Sequence, residues 1–224
     1  MDKRINYRLV IDTETCPIKR SDKVNPYNML VYDIGFAVVD KRGLVYESAS
    51  YINKDIFYKE QEKMNSAYYS EKISKYLDDI ENGTRIVASF YEIRQQINAI
   101  IEKYNINEIY AHNMFFDRSA LNNTMRYLTN GKYFYYFKKD LQICDTLKMA
   151  KDVLGNMPTY IKFCKDNGYI TKNGKPRFTA EVIYRYITKD TNFIESHTGL
   201  EDVLIEKEIL AYCYKQHKRM RKYL

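Results

Sequence analysis

Three runs rich in β-branched residues crowd into the first quarter of the chain: "NYRLVID", "VYDIGFAVVD" and "LVYESASYI", the last two joined by the tight-turn tract "DKRG". Such runs, following one another with so little chain between them, predict an antiparallel meander at one side of a sheet. The first run continues directly into "TETC". Side chains two apart on a strand share a face, so Asp12 and Glu14 stand side by side. Two ionised carboxylates that close repel, and either one keeps a proton or a cation compensates both. The same pair also suits a solvated turn in which Thr13 and Thr15 act as caps. Further acids must converge on it before it implies chemistry.

Beyond the meander, residues 53–84 turn polar and tyrosine-rich with helical stretches and no strand pattern, which predicts a helical insertion or lid. Ile93, Ile97, Ile100, Ile101 and Tyr104 then recur at helical spacing. "NEIYAH" and "LQICD" read as strands, each followed by a helix, and three more helical segments close the chain. The order β-β-β-α-β-α-β-α-α-α predicts an α/β fold with a mixed sheet. The length of 224 residues fits one domain over 1–224.

Hydrophobic content of 45% and charge of 29% are those of a soluble globular protein. No apolar run approaches the roughly 20 residues that span a bilayer, and the first residues lack the apolar core of a signal peptide. A cytoplasmic protein with no membrane partner is expected. Cys16, Cys144, Cys164 and Cys213 are scattered without metal-ligand spacing, and read as reduced, packed thiols. The net charge of +7 and the basic tail 214–224, "YKQHKRMRKYL", suit either a polyanionic partner or a solvated end, and charge does not decide between them.

Asp117 follows "EIYAHN", where a strand hands over to a helix, and sites in open α/β sheets gather at the carboxyl ends of strands. It also suits plain helix capping. In "SHTGLED", Thr198 and Glu201 have capping-box spacing, so the final helix is expected to start at Thr198. If His197 and Asp202 were both helical they would lie about 140° apart. With His197 in the loop and Asp202 in the first turn, both can point at one place, and Glu201 is left to the cap.

Together "DTE", "AHNMFFD" and "HTGLED" resemble, in order and spacing, the three motifs of the DEDDh exonucleases, the DnaQ-like branch of the ribonuclease H-like superfamily. His at five residues before the last Asp resembles the h branch. The likeness covers most of the chain except 53–84 and the tail. Where many relatives carry Thr, Gly and Leu after the first acids, this chain has Thr15, Cys16 and Pro17.

The resemblance implies a ribonuclease H-like mixed five-stranded sheet and a metal-dependent 3′-to-5′ exonuclease releasing nucleoside 5′-monophosphates. Two divalent cations, Mg²⁺ or Mn²⁺, would be held by Asp12, Glu14, Asp117 and Asp202, with His197 as general base. Thr13, Thr15, Asn113 and Phe116 would contact the substrate, single-stranded DNA or an unpaired 3′ end, with RNA the alternative. The resemblance points to bacterial or phage-infected host cytosol and leaves open a polymerase or replication partner. A rival of another class is a catalytically silent nucleic-acid-binding subunit, against which the retention of all five motif residues argues.

Overall fold

β1 (Arg8–Pro17), β2 (Met29–Val39) and β3 (Val45–Asn53) pair antiparallel, as the meander requires, with Asp12 opposite Gly35 and Glu14 opposite Asp33. The register shifts between Glu14 and Thr15, a bulge at the carboxyl end of β1. The computed structural model describes residues 2, 4–19, 25–67 and 70–224.

After the meander come α1 (Lys54–Phe57), α2 (Gln61–Met64) and, beyond a 3₁₀ turn at Ser70–Lys72, α3 (Ile73–Glu81). β4 (Ile86–Ala88), α4 (Phe90–Tyr104), β5 (Glu108–Ala111), α5 (Met114–Leu128) and β6 (Gln142–Asp145) follow. The chain closes with α6 (Thr146–Leu154), α7 (Pro158–Asp166), α8 (Ala180–Thr188) and α9 (Gly199–Lys215). The sheet order is β4-β3-β2-β1-β5-β6, with β5 and β6 parallel to β1 and β4 parallel to β3.

The sheet therefore has six strands, not five. β4 is three residues long and pairs only with β3, too short and too exposed to carry a hydrophobic period. The insertion 53–84 is helical as expected, with Tyr68 and Tyr69 outside the described residues. It is also a buttress: Ile56, Phe57, Met64 and Tyr76 form a core with Cys16, Leu30, Tyr32 and Ile52 from the meander.

Two cores sandwich the sheet. Leu9 and Ile11 join α4 and α5 residues on one face, while Val10 joins residues of α6, α7, α8 and α9 on the other. Alternation along β1 thus sends Asp12 and Glu14 toward α9 and Thr13 toward α5. All four cysteines are buried and free.

The basic tail docks through its last residues while most of its side chains stay exposed. Leu224 N–H donates to the Ile143 carbonyl at 2.9 Å and Asp145 N–H to the Lys222 carbonyl at 2.7 Å, so the last residues cover the open edge of β6. Lys222 pairs with Glu108, and Arg221 with Asp152 at 2.7 Å. An uncovered edge strand presents unpaired backbone groups, which is the physical reason a terminal segment settles there.

Candidate active site

α9 can reach the acids of β1 because two glycines meet. A Cβ on Gly35 would fall 2.1 Å from the Gly199 carbonyl carbon, and one on Gly199 would fall 2.6 Å from Gly35 N. Gly199 N–H donates to Asp33 Oδ2 at 2.9 Å, fixing the first turn of α9 on β2. Thr198 precedes the helix as expected, but its hydroxyl donates to Glu201 Oε2 at 2.7 Å and no side-chain cap to the backbone forms. Glu201 is instead held by Arg85, so the expected capping box is replaced by a tertiary ion pair.

Arg85 comes from the end of the insertion and was not among the sequence candidates. Its side chain is 2% exposed and bonds Asp33 at 3.1 Å, Asp79 at 3.0 Å and Glu201 at 3.1 Å. It also donates to Ser50 Oγ at 2.6 Å and lies 4.7 Å from the centre of the Tyr76 ring. One guanidinium thus ties the insertion, the meander and the first turn of α9 together.

These constraints create a cleft of about 750 Å³ whose lining includes Asp12, Glu14, Asp117, His197 and Asp202. A donor atom of Glu14, one of His197 and one of Asp202 all lie within 4.8 Å of one another. His197 sits in the loop with φ 52°, and Asp202 in the first turn of α9, the arrangement that lets both face one point. Asp117, 3% exposed in the first turn of α5, accepts the Thr13 hydroxyl at 2.8 Å.

Of the residues expected to touch substrate, Thr13, Asn113 and Phe116 line the cleft. The Thr13 hydroxyl is committed to Asp117. Asn113 stands at the N-cap of α5 with φ 72° and makes no side-chain cap; its backbone N–H donates to Asp145 at 3.2 Å. Thr15 is buried just beyond the bulge and is not among the residues that line the cleft. Lys151, Arg177 and Phe178 also line it, the last two bringing the edge of the basic turn "KNGKPR" to the site.

Among the described residues the electrostatics are those of an acid cluster with more carboxylates than paired cations. Burial, then Asp117 and Glu206, raises the pKa of Asp12; burial, then Asp202, raises that of Glu14. Burial pushes Asp117 up to about 7 against the Thr13 hydrogen bond, and burial with Glu195 pushes Asp202 up to about 8. Burial and then Lys72 lower the pKa of His197, leaving the imidazole neutral at pH 7. Asp202 Oδ1 is buried with no hydrogen-bond partner among the described residues.

Two more cleft acids escaped the sequence reading. Glu195 lies 3.9 Å from His197 Nδ1, and burial with Glu181 raises its pKa to about 7. Glu206 is 3% exposed on α9, and its Oε2 is buried without a partner. A signal for Glu206 exists in the sequence: it lies four residues after Asp202, on the face that continues through Ile209, Leu210 and Cys213 to the core.

Hard divalent cations suit this donor set, which offers crowded carboxylate oxygens, one imidazole and orphaned acceptors, and whose charge a cation would compensate.

No protein-family model and no curated sequence matches the chain. Among solved structures it is similar to the nuclease domain of 3'hExo, a DEDDh family member, bound to rAMP, with a TM-score of 0.61, 11% identity and all of both chains covered. It is similar to the 3'-exonuclease of a histone mRNA stem-loop recognition complex, at 0.59 and 10%, over 98% of this chain and 86% of that one. A zinc-ion-bound E. coli ExoI–ssDNA complex matches at 0.54 and 14%, over 96% of this chain and 42% of the larger neighbour. The chain shares the α/β fold of these structures, a mixed sheet flanked by helices.

Proposed function

We propose that the chain is a metal-dependent 3′-to-5′ exonuclease acting on single-stranded or unpaired 3′ ends, with DNA as first substrate. The observation that carries this reading is the convergence of Glu14, His197 and Asp202 donors to within 4.8 Å in the cleft that Asp12 and Asp117 also line. The fold shared with 3′ exonucleases supports it. The rAMP-bound and histone-mRNA neighbours favour RNA as the second reading. Nothing in these neighbours' names supports a polymerase partner. No helix among the described residues is long and apolar enough to cross a membrane.

Asp12, Glu14, Asp117 and Asp202 would hold two divalent cations, Mg²⁺ or Mn²⁺. When bound, such ions lower the pKa of an attacking water and offset charge on the phosphate oxygens. His197, kept neutral by burial and Lys72, takes up the proton that the water loses. Phe116 offers a flat face to the terminal base, and Lys151 and Arg177 offer cations to the phosphate backbone. The deciding assay uses matched single-stranded DNA and RNA labelled at the 5′ end, with Mg²⁺, Mn²⁺ or EDTA. A descending ladder that EDTA abolishes is expected, and cuts only at internal positions would remove the exonuclease reading.

The acid cluster also sets a pH dependence. Asp117 and Asp202 have folded pKa values, about 7 and about 8, above their unfolded ones. The stability they contribute is complete below the unfolded value near 4 and is lost as pH rises through 7 and 8. Without added metal the protein should therefore melt lower at pH 8.5 than at pH 6. Mn²⁺ binds the ionised form, so the rise in Tm on adding it should be larger at pH 8.5. Equal rises at the two pH values would contradict this.

A further inference from the structure

Donor atoms of Glu14, His197 and Asp202 converge to within 4.8 Å in the cleft that Asp12, Asp117 and Glu206 also line. After burial, Asp117 and Glu206 do most to raise the pKa of Asp12, and Asp117, then Asp202 and Glu195, raise that of Glu206. Glu206 lies one turn below Asp202 on the same face of α9, at 3% exposure, and lines the cleft with its Oε2 unpartnered. Its carboxylate interrupts the otherwise apolar buried face of Val203, Ile209, Leu210 and Cys213. No cation is within ion-pair distance of it among the described residues, whereas buried Asp33 has Arg85 and buried Glu108 has Arg8 and Lys222.

We propose that Glu206 is a fifth carboxylate of the site, which with Asp12 and Asp117 holds the cation on the side away from Glu14, reaching it through one of the ion's waters. The inference rests on the metal-dependent reading above. Direct ligation is not required: a triad of donors within 4.8 Å forms among the described residues only at Glu14, His197 and Asp202, and Mg²⁺ and Mn²⁺ commonly keep waters that carboxylates can orient. The consequence is a site with five acids for two ions. The second ion position, otherwise left to the shared Asp12 and a single further carboxylate, gains a third negative group and the water-orienting acceptor that an unpartnered buried oxygen supplies.

The test is a Mn²⁺ titration of the full chain followed by calorimetry and by the electron paramagnetic resonance of free Mn²⁺, with wild type, Glu206→Gln and Glu206→Asp compared by circular dichroism for retention of fold. Wild type should bind two ions. Glu206→Gln, close in shape but uncharged, should keep the tighter ion and bind the second about 10- to 100-fold more weakly, the cost usual for removing a group that orients a metal's ligands. Glu206→Asp keeps the charge but withdraws the carboxylate, and should weaken the same ion by a smaller factor; it decides the matter if Gln perturbs the fold. A Glu206→Gln isotherm that superimposes on wild type, with two ions bound in both, would overturn the role of Glu206 and leave the exonuclease reading intact. Absence of Mn²⁺ binding by wild type would overturn both.

Discussion

Asp12→Ala and Asp202→Ala are each expected to lower nuclease turnover by about 10³-fold or more while the protein stays folded. Offset of charge on the attacking and leaving oxygens is worth several kcal/mol, and each 1.36 kcal/mol is tenfold in rate. Asp12 lines the cleft and is perturbed by Asp117, Glu206, Asp202 and Glu14 alike, so its loss touches the whole acid cluster. Asp202 supplies one of the three converging donors. Neither residue holds the fold together, because both are raised in pKa by their surroundings and Asp202 Oδ1 has no partner to lose. Without metal, Asp202→Ala should accordingly melt no lower than wild type at pH 8.5. Turnover on 5′-labelled single strands and a thermal melt check the two halves, and wild-type turnover in either variant would sink the site assignment.

Arg85→Met should behave in the opposite way and cost stability first, by about 3–5 kcal/mol, the range for removing one partner of a buried ion pair. At this chain length that corresponds to a fall of roughly 6–20 °C in Tm. The cause is Asp33, whose side chain is 0% exposed and which would lose its cation, whereas Asp79 and Glu201 would keep Lys75. The Gly199 N–H bond to Asp33 would remain, but the first turn of α9 would lose the Arg85 bonds to Glu201 and keep only the longer Lys75–Glu201 pair at 3.9 Å. His197 and Asp202 flank that turn, so a loss of turnover should accompany the loss of stability. Arg85→Met combined with Asp33→Asn should recover part of the stability, since it removes the bare buried charge. Equal melting of wild type and Arg85→Met would show that the network is ornamental.

The contrast explains what could be read from the chain alone. Asp12 and Glu14 lie within β1, where alternation puts them on one face, and Asp117, His197 and Asp202 lie at or beside helix starts; local periodicity marks such positions, and their spacing carries the family resemblance. β4, at three residues, is below the length at which any period is visible. The docking of 214–224 depends on an open edge of β6, which no local pattern in the tail announces. The seat of Thr15 turns on a one-residue bulge, and a bulge moves side chains without altering composition.

What the sequence by itself determined is the set of short-range relations: an antiparallel meander, carboxylates sharing one face of β1, and a histidine left just outside the final helix. Those follow from periods of two and 3.6 and from turn chemistry, which act over a few residues. Only the tertiary structure decided that Gly35 and Gly199 touch, that Arg85 neutralises Asp33 and Glu201, and that Glu206 reaches the acid cleft. Burial and charge compensation are properties of which elements meet, and residues 33, 85 and 201 meet only once the sheet, the insertion and α9 have packed.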